Sequence, residues 1–156
     1  MGTTAESIKN MKSIIYSLPQ GKTESQLPLD LIQAYYNAHF CVFAETEFIL
    51  RIGIAQPNLS PEHCYGYVTA CNPEGKILPD ESNQINHKKL IDWARLNDLR
   101  FKEGAGRDPK SIWHEEISLL IEDLSLAETI RLGRHFNQNA VVWCDKDQIP
   151  RLVILQ

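Results

Sequence analysis

The chain has 156 residues, a length that fits one domain with a short N-terminal extension. With 43% hydrophobic and 23% charged residues, its composition is ordinary for a soluble globular protein. The formal net charge of −4 argues against a nucleic-acid partner, because nucleic-acid-binding proteins usually carry a basic face. No apolar stretch approaches the roughly 20 residues that a membrane-spanning helix requires, so we expect no membrane partner.

Residues 1–27 are interpreted as an N-terminal helix followed by a linker. Apolar residues recur at helical spacing from Ile8 to Leu18, and the polar string 19–23, which contains proline and glycine, ends the pattern. Such a helix could contact a protein partner. The segment lacks the apolar core and cleavage site of a signal peptide, so we expect a cytoplasmic location.

Residues 28–156 are predicted to form a single α+β domain. Helices are expected over 28–37, 80–96 and 125–137, the last opened by the capping box Ser125-Leu126-Ala127-Glu128. Strands are expected over 39–43, 46–54, 64–71, 112–122, 140–144 and 151–155, and a further one begins at Leu99. Short connections within strand pairs suit antiparallel hairpins. We therefore predict a mainly antiparallel sheet of about five to six strands, with two helices packed on one face plus the N-terminal helix.

The sequence predicts no metal site and no cofactor. The cysteines at 41, 64, 71 and 144 lack a metal-binding spacing and are interpreted as buried thiols. The string 104–108, Gly-Ala-Gly-Arg-Asp, lacks a complete phosphate-binding motif, which favours a glycine-rich hairpin loop over a phosphate site. Arg107 is kept as a candidate anion contact.

Three polar strings occupy the edges of predicted elements, where apolar side chains would be expected. They span 69–73, 113–118 and 136–140. A buried polar group without a partner costs roughly 1–3 kcal/mol, so these groups must bond each other or face water. Asn83 lies seven residues before Leu90 on the predicted inward stripe of its helix and is expected to join them.

Glu116 is the candidate acid of this cluster. We expect it to converge with Asn72, Asn83 and Gln138, flanked by Trp113 and Ser118. A catalytic triad of Ser118, His114 and Glu116 is disfavoured, because same-face neighbours on a strand lie roughly 6–7 Å apart, too far for a nucleophile–base hydrogen bond. A carboxylate among amides could bind a polar small molecule, or it could belong to an internal network that holds the strands in register.

The motifs also resemble a known family. The strings 69–73 and 136–140, Asn83 with Leu90, and Trp113 with Glu116-Ile117-Ser118 are similar to the bacterial family catalogued as domain of unknown function 3293. The resemblance covers roughly residues 35–155. It implies a small, cytoplasmic bacterial protein and brings no activity, cofactor or catalytic residue.

Two functions are therefore left open. The first is a non-catalytic binding or regulatory module that takes a small polar or anionic ligand, or a protein partner through the N-terminal helix. The second is a hydrolase or transferase acting on a small polar or anionic substrate, with Glu116 as acid/base and Arg107 as anion contact. The absence of a recognised nucleophile, metal or phosphate motif favours the first.

Overall fold

The computed structural model describes residues 12–110 and 114–156. Within this range the chain forms eight strands and three helices. They are β1 (Ile14–Tyr16), α1 (Leu29–Asn37), β2 (His39–Val42), β3 (Phe48–Leu50), β4 (Tyr65–Thr69), α2 (Asp80–Leu96), β5 (Phe101–Arg107), β6 (Glu116–Glu122), α3 (Leu126–His135), β7 (Ala140–Cys144) and β8 (Pro150–Ile154). A single 3-10 turn, Pro73–Gly75, follows β4.

All eight strands belong to one sheet, in the order β1-β8-β7-β4-β6-β5-β2-β3. β1 runs parallel to β8, whereas the other neighbouring strands are antiparallel. The sheet curls into a half-barrel. The loop that follows β3, the strand at the far edge, returns to β8: the backbone N–H of Gly53 donates to the carbonyl of Pro150 at 2.9 Å.

The predicted fold is wrong in two respects. The sheet has eight strands and one parallel pair rather than five to six mainly antiparallel strands. Residues 14–16 form β1 rather than the end of a helix, because their backbone groups bond the free edge of β8, with Ile14 opposite Leu152. The part of the predicted helix before residue 12 lies outside the described residues.

The glycine-rich string after Phe101 is also not a loop. β5 continues through Gly104 to Arg107, and it pairs with both β2 and β6. A Cβ atom on Gly104 would lie 2.0 Å from the carbonyl oxygen of Cys41 and 3.1 Å from the hydroxyl of Tyr67. Glycine is needed here because the neighbouring strand and a crossing tyrosine approach the backbone closely.

The sheet buries an apolar core on each face. On the outer face, α2 and α3 pack against the sheet through fully buried residues such as Leu90, Ala94 and Leu132. On the inner face, the core includes Ile32 of α1 and side chains from seven of the strands. The alternation predicted for β6 is confirmed, since Leu119 and Ile121 lie in the outer core and Leu120 in the inner one.

Local signals predicted several elements correctly. α2 has the predicted bounds, β7 has the predicted bounds and lies between two other strands, and α3 begins with the predicted capping box at Ser125 and Glu128. Cys41, Cys71 and Cys144 are buried free thiols, as expected, whereas Cys64 is a free thiol that is only partly buried. Among the described residues, no helix combines the length and the apolar character needed to span a bilayer.

Candidate functional site

A cavity lies on the inner face of the half-barrel. About 50 Å³ of it can be occupied by the centre of a water-sized group, which is several times the space that one water needs. Gly106 of β5 is among the residues that line it. The lining residues come from six strands, α1 and two connections: Tyr35, Phe40, Tyr67, Thr69, Asn72, Gly75, Gly106, Glu116, Ser118, Gln138, Asn139, Ala140, Val141, Val142 and Leu152.

Glu116 is the ionisable acid of this cavity. It begins β6, it is half-buried, and its Oε2 accepts one hydrogen bond, from Nδ2 of Asn72 at 2.9 Å. Burial raises the pKa of Glu116 to about 7, and the Asn72 bond opposes the rise. Among residues 12–110 and 114–156, no basic side chain pairs with this carboxylate, so its charge is stabilised by a single amide.

Asn72 holds this arrangement in place. Its Oδ1 accepts from the backbone N–H of Leu78 at 2.9 Å and from Nδ2 of Asn83 at 2.8 Å, while its own backbone N–H donates to Oδ1 of Asn83 at 2.9 Å. Asn72 has a left-handed backbone conformation, with φ of 48°, which asparagine tolerates better than most residues. The two asparagines therefore satisfy each other and leave one amide group for Glu116.

Gln138 and Asn139 bring two further amides to the cavity, and both are buried. Nε2 of Gln138 donates to the carbonyls of Cys71 at 2.9 Å and Phe136 at 3.3 Å. Nδ2 of Asn139 donates to the hydroxyl of Tyr35 at 3.4 Å. Within the described part of the chain, neither side-chain carbonyl oxygen accepts a hydrogen bond, so both remain available to a ligand or to water.

Three hydroxyl side chains complete the inner wall, and each is engaged with the backbone. Ser118 donates to the carbonyl of Glu116 at 2.9 Å, Thr69 to that of Ile117 at 2.7 Å, and Tyr67 to that of Cys41 at 2.8 Å. Ser118 therefore contacts the backbone rather than the carboxylate of Glu116. Within the described residues, its hydroxyl bonds this backbone carbonyl and no side chain that could act as its base.

A second cavity opens on the surface beside the first. This groove has a volume of about 250 Å³, and it shares Tyr35, Asn72, Gly75, Glu116 and Asn139 with the inner cavity. Its other lining residues are Leu31, Glu74, Ile77 and His114. Glu116 thus lies where the groove meets the inner cavity, in reach of a ligand that enters from the surface.

The sequence-predicted site residues separate into four groups. Asn72, Asn83 and Glu116 lie together through direct hydrogen bonds, while Gln138 and Ser118 line the same cavity without bonding the carboxylate. Trp113 lies outside the described residues. Arg107 is on the opposite sheet face, as the neighbour of the cavity-lining Gly106, and its guanidinium donates to Glu115 at 3.0 Å and contacts Glu47 at 3.5 Å.

Sequence reasoning missed two residues where the groove meets the inner cavity. Tyr35 lies on α1. The sequence pattern predicts this helix, but it does not show that the helix covers the inner face of the sheet. Asn139 belongs to the polar string 136–140, directly beside Gln138. Its position among amides at the edge of a strand could have identified it as a site residue. Burial raises the pKa of Tyr35, and the nearby negative charge of Glu116 adds to the rise.

No group of three or more histidine, cysteine or acidic side chains is arranged to hold a metal ion within residues 12–110 and 114–156. Among the described residues that line the cavity, the polar side chains are one carboxylate, three amides and several hydroxyls.

Comparisons with known proteins identify the family. Searches of curated proteins and of solved structures found no significant match. A family model matches residues 68–141, a range that contains Asn72, Asn83, Glu116 and Gln138. This match supports membership of the family described as protein of unknown function (DUF3293), as the sequence motifs predicted.

Proposed function

We propose that this protein is a binding module for a small polar molecule, held in the inner cavity at Glu116. The observation that carries the proposal is a half-buried carboxylate with a single hydrogen-bond partner among the described residues, at the junction of a cavity and a surface groove. Ligand sites are typically concave, largely apolar and provided with a few polar groups that fix orientation. The apolar wall of Phe40, Val142 and Leu152 beside Glu116 and the amides fits that description.

The competing interpretation, an internal network that only holds the fold, accounts for part of the cluster. Asn72 and Asn83 satisfy each other and the turn after β4, so they serve the fold. Glu116, Gln138 and Asn139 are different, because the network does not use all of their hydrogen-bonding atoms. Each has a side-chain oxygen that accepts no hydrogen bond from the described residues. None of these oxygens is sealed from solvent, so each can meet either a ligand or water that enters the cavity.

The test is a thermal-shift screen against metabolites and nucleotides, run in parallel on the wild type and on Ala140→Leu. Ala140 lines the cavity, and a leucine there occupies the space that a ligand needs. The matched control is Ala127→Leu, which adds the same side chain on an exposed position of α3. A compound at a hundredfold excess over its dissociation constant stabilises the protein by about 2.7 kcal/mol, an easily measured shift.

We expect at least one compound to stabilise the wild type and Ala127→Leu but not Ala140→Leu. If every stabilising compound acts equally on all three proteins, its site lies elsewhere and the proposed function is wrong. A screen without any stabilising compound also counts against it.

A second candidate function is catalysis with Glu116 as the acid/base, in a hydrolase or transferase that acts on a small polar substrate. A pKa of about 7 favours it, because a group that titrates near the working pH both accepts and donates protons efficiently. Incubating cavity ligands with the protein and following them by NMR tests it. Conversion that Glu116→Gln abolishes, with binding retained, supports catalysis; unchanged ligands support the binding module.

Two broader expectations remain predictions within this proposal. A cytoplasmic location and a bacterial origin follow from the sequence interpretation and the family resemblance. Localisation of a tagged chain in a bacterial host checks the first.

A further inference from the structure

We propose that the ligand of the inner cavity carries a primary ammonium group, which binds where Glu116, Gln138 and Asn139 line the cavity. The inference rests on the proposed function and names the chemical class of its ligand. Its basis is the balance of donors and acceptors around the cavity, together with the charges that line it.

The cavity offers unused acceptors on three side chains. Oε1 of Glu116, Oε1 of Gln138 and Oδ1 of Asn139 accept no hydrogen bond from the residues that the structure describes. Nε2 of Gln138 donates to the carbonyls of Cys71 and Phe136, which can only accept, so the oxygen of this amide is the end that remains. Nδ2 of Asn139 donates to the hydroxyl of Tyr35, which leaves its oxygen toward the cavity. An ammonium group has three N–H donors and no acceptor, so its hydrogen-bonding capacity matches this set.

The charge around the cavity leads to the same ligand. The described lining residues of the inner cavity include one carboxylate and neither lysine nor arginine. Arg107, the candidate anion contact, lies on the other face and bonds Glu115 and Glu47. An anionic ligand would place a second negative charge beside Glu116, whereas a cation supplies the opposite charge that Glu116 lacks.

The shape of the site limits the rest of the ligand. The inner cavity holds only a few water-sized groups, and its wall beyond the polar side chains is apolar at Phe40, Val142 and Leu152. A slender alkyl chain fits such a wall. The groove outside, with Leu31 and Ile77 in its lining, has room for a larger remainder of the same molecule.

The probes are three small compounds of similar shape: butylammonium chloride, 1-butanol and sodium butyrate. Each is titrated into the full-length, isotope-labelled protein while the side-chain amide signals of Gln138 and Asn139 are followed by NMR. At pH 8 we expect butylammonium to bind at least about tenfold more tightly than 1-butanol, because a hydrogen bond between two charged groups is stronger than one from a neutral hydroxyl. Butyrate is expected not to bind in the cavity.

Matched variants separate the charge of Glu116 from that of its neighbour. Glu116→Gln keeps the shape and removes the charge, and we expect it to weaken butylammonium binding about tenfold or more. Glu115→Gln removes the adjacent carboxylate, which bonds Arg107 on the other sheet face, and should leave binding unchanged. Ala140→Leu, which fills the cavity, should abolish binding.

The pH dependence gives a second readout. Since burial raises the pKa of Glu116 to about 7, the fraction of ionised carboxylate rises about thirtyfold from pH 5.5 to pH 8, and butylammonium affinity should follow it. The other titratable groups facing Glu116 are Tyr35 of α1, Cys71 after β4, and Glu74 and His114 in the groove. His114→Gln is the control, because it removes the imidazole that lines the groove beside Glu116.

The results distinguish this inference from the proposed function. If 1-butanol or butyrate binds as tightly as butylammonium and Ala140→Leu abolishes that binding, the ammonium proposal is overturned while the cavity remains a ligand site. If butylammonium leaves the Gln138 and Asn139 signals unchanged, the ammonium proposal is also overturned. The ammonium proposal is likewise overturned if the affinity for butylammonium is the same at pH 5.5 and pH 8. It is also overturned if the affinity of Glu116→Gln for butylammonium changes with pH as much as that of the wild type.

Discussion

The side chain of Asn72 donates a hydrogen bond of 2.9 Å to the carboxylate of Glu116, and this bond joins the turn after β4 to the first residue of β6. β4 and β6 are neighbouring antiparallel strands, so the end of one lies beside the start of the other. The bond connects two of the three polar strings, 69–73 and 113–118, at one end of the sheet. It also makes Asn72 the residue whose replacement tests the network most directly.

We expect Asn72→Ala to lower the free energy of unfolding by roughly 1–3 kcal/mol. The change leaves the backbone N–H of Leu78 without its acceptor, removes one of the two acceptors of Nδ2 of Asn83, and places alanine at a positive φ. Urea denaturation measures the loss, and Asn58→Ala, at an exposed asparagine, is the control. A loss no greater than that of the control would show that the network contributes little to stability.

The same substitution should raise the pKa of Glu116 further above its ordinary range. The Asn72 amide bonds the carboxylate and lowers this pKa, so its removal leaves only the effect of burial. A titration of the side-chain carboxyl carbon by NMR measures the change. An unchanged or lower pKa would contradict the assigned role of the amide.

The stability of the protein should depend on the charge of Glu116. A carboxyl with a folded-state pKa near 7 binds more protons when folded than when unfolded, so its contribution to stability is present at low pH and is lost as pH rises from about 4.5 to 7. Glu116→Gln removes this loss. We therefore expect the variant to gain on the wild type by about 1–3 kcal/mol between pH 4.5 and pH 8.

Chemical denaturation at both pH values checks this prediction, with Glu115→Gln as the control at a solvent-exposed carboxylate. Equal pH profiles for the wild type and Glu116→Gln would mean that the carboxyl titrates in the folded protein as it does in the unfolded chain.

Gly104→Ala should be strongly destabilising, by about 3 kcal/mol or more. Its Cβ would lie 2.0 Å from the carbonyl oxygen of Cys41, and backbone atoms cannot yield as a flexible side chain does. Tyr67→Phe is the companion variant, because it removes only the hydroxyl that donates to the same carbonyl and should cost about 1 kcal/mol. Similar losses for both variants, measured by thermal and urea unfolding, would show that the close approach relaxes easily.

Ile14→Ala tests whether β1 is an integral strand. Ile14 is buried in the inner core, so we expect a loss of roughly 2–4 kcal/mol. Ile85→Ala, at an exposed position of α2, should change stability by much less. If Ile14→Ala lowers the free energy of unfolding no more than Ile85→Ala does, the result would favour the predicted domain division, in which residues 1–27 form a separate appendage.

Local patterns predicted the elements whose stability is local or strongly periodic. The helix at Asp80–Leu96 follows from its apolar stripe, and the strand at Ala140–Cys144 follows from its nearly continuous apolar run. The pattern failed for β1, because Ile14 and Ile15 suit a helix as well as a strand and the choice depends on β8 at the other end of the chain. It failed for β5 because the reason for Gly104 is the distant carbonyl of Cys41.

The candidate site shows the same division. Glu116 and the asparagines could be found as polar residues at the edges of apolar segments, where they need partners. Tyr35 could not, since its role depends on α1 covering the inner face. Arg107 lies on the sheet face opposite the cavity because β5 continues to residue 107. Neighbouring strand residues point to opposite faces, so Gly106 lines the cavity and Arg107 does not.

The parallel pairing of β1 with β8 has a consequence for synthesis of the chain on the ribosome. β1 emerges early, but its hydrogen-bonding partner emerges only after β7, so Ile14–Tyr16 must wait for nearly the whole domain. Until then the nascent chain exposes an unpaired strand that can bond other chains. Closure of this edge is therefore expected to be a late step in folding, when the inner wall of β7 and β8 also becomes complete.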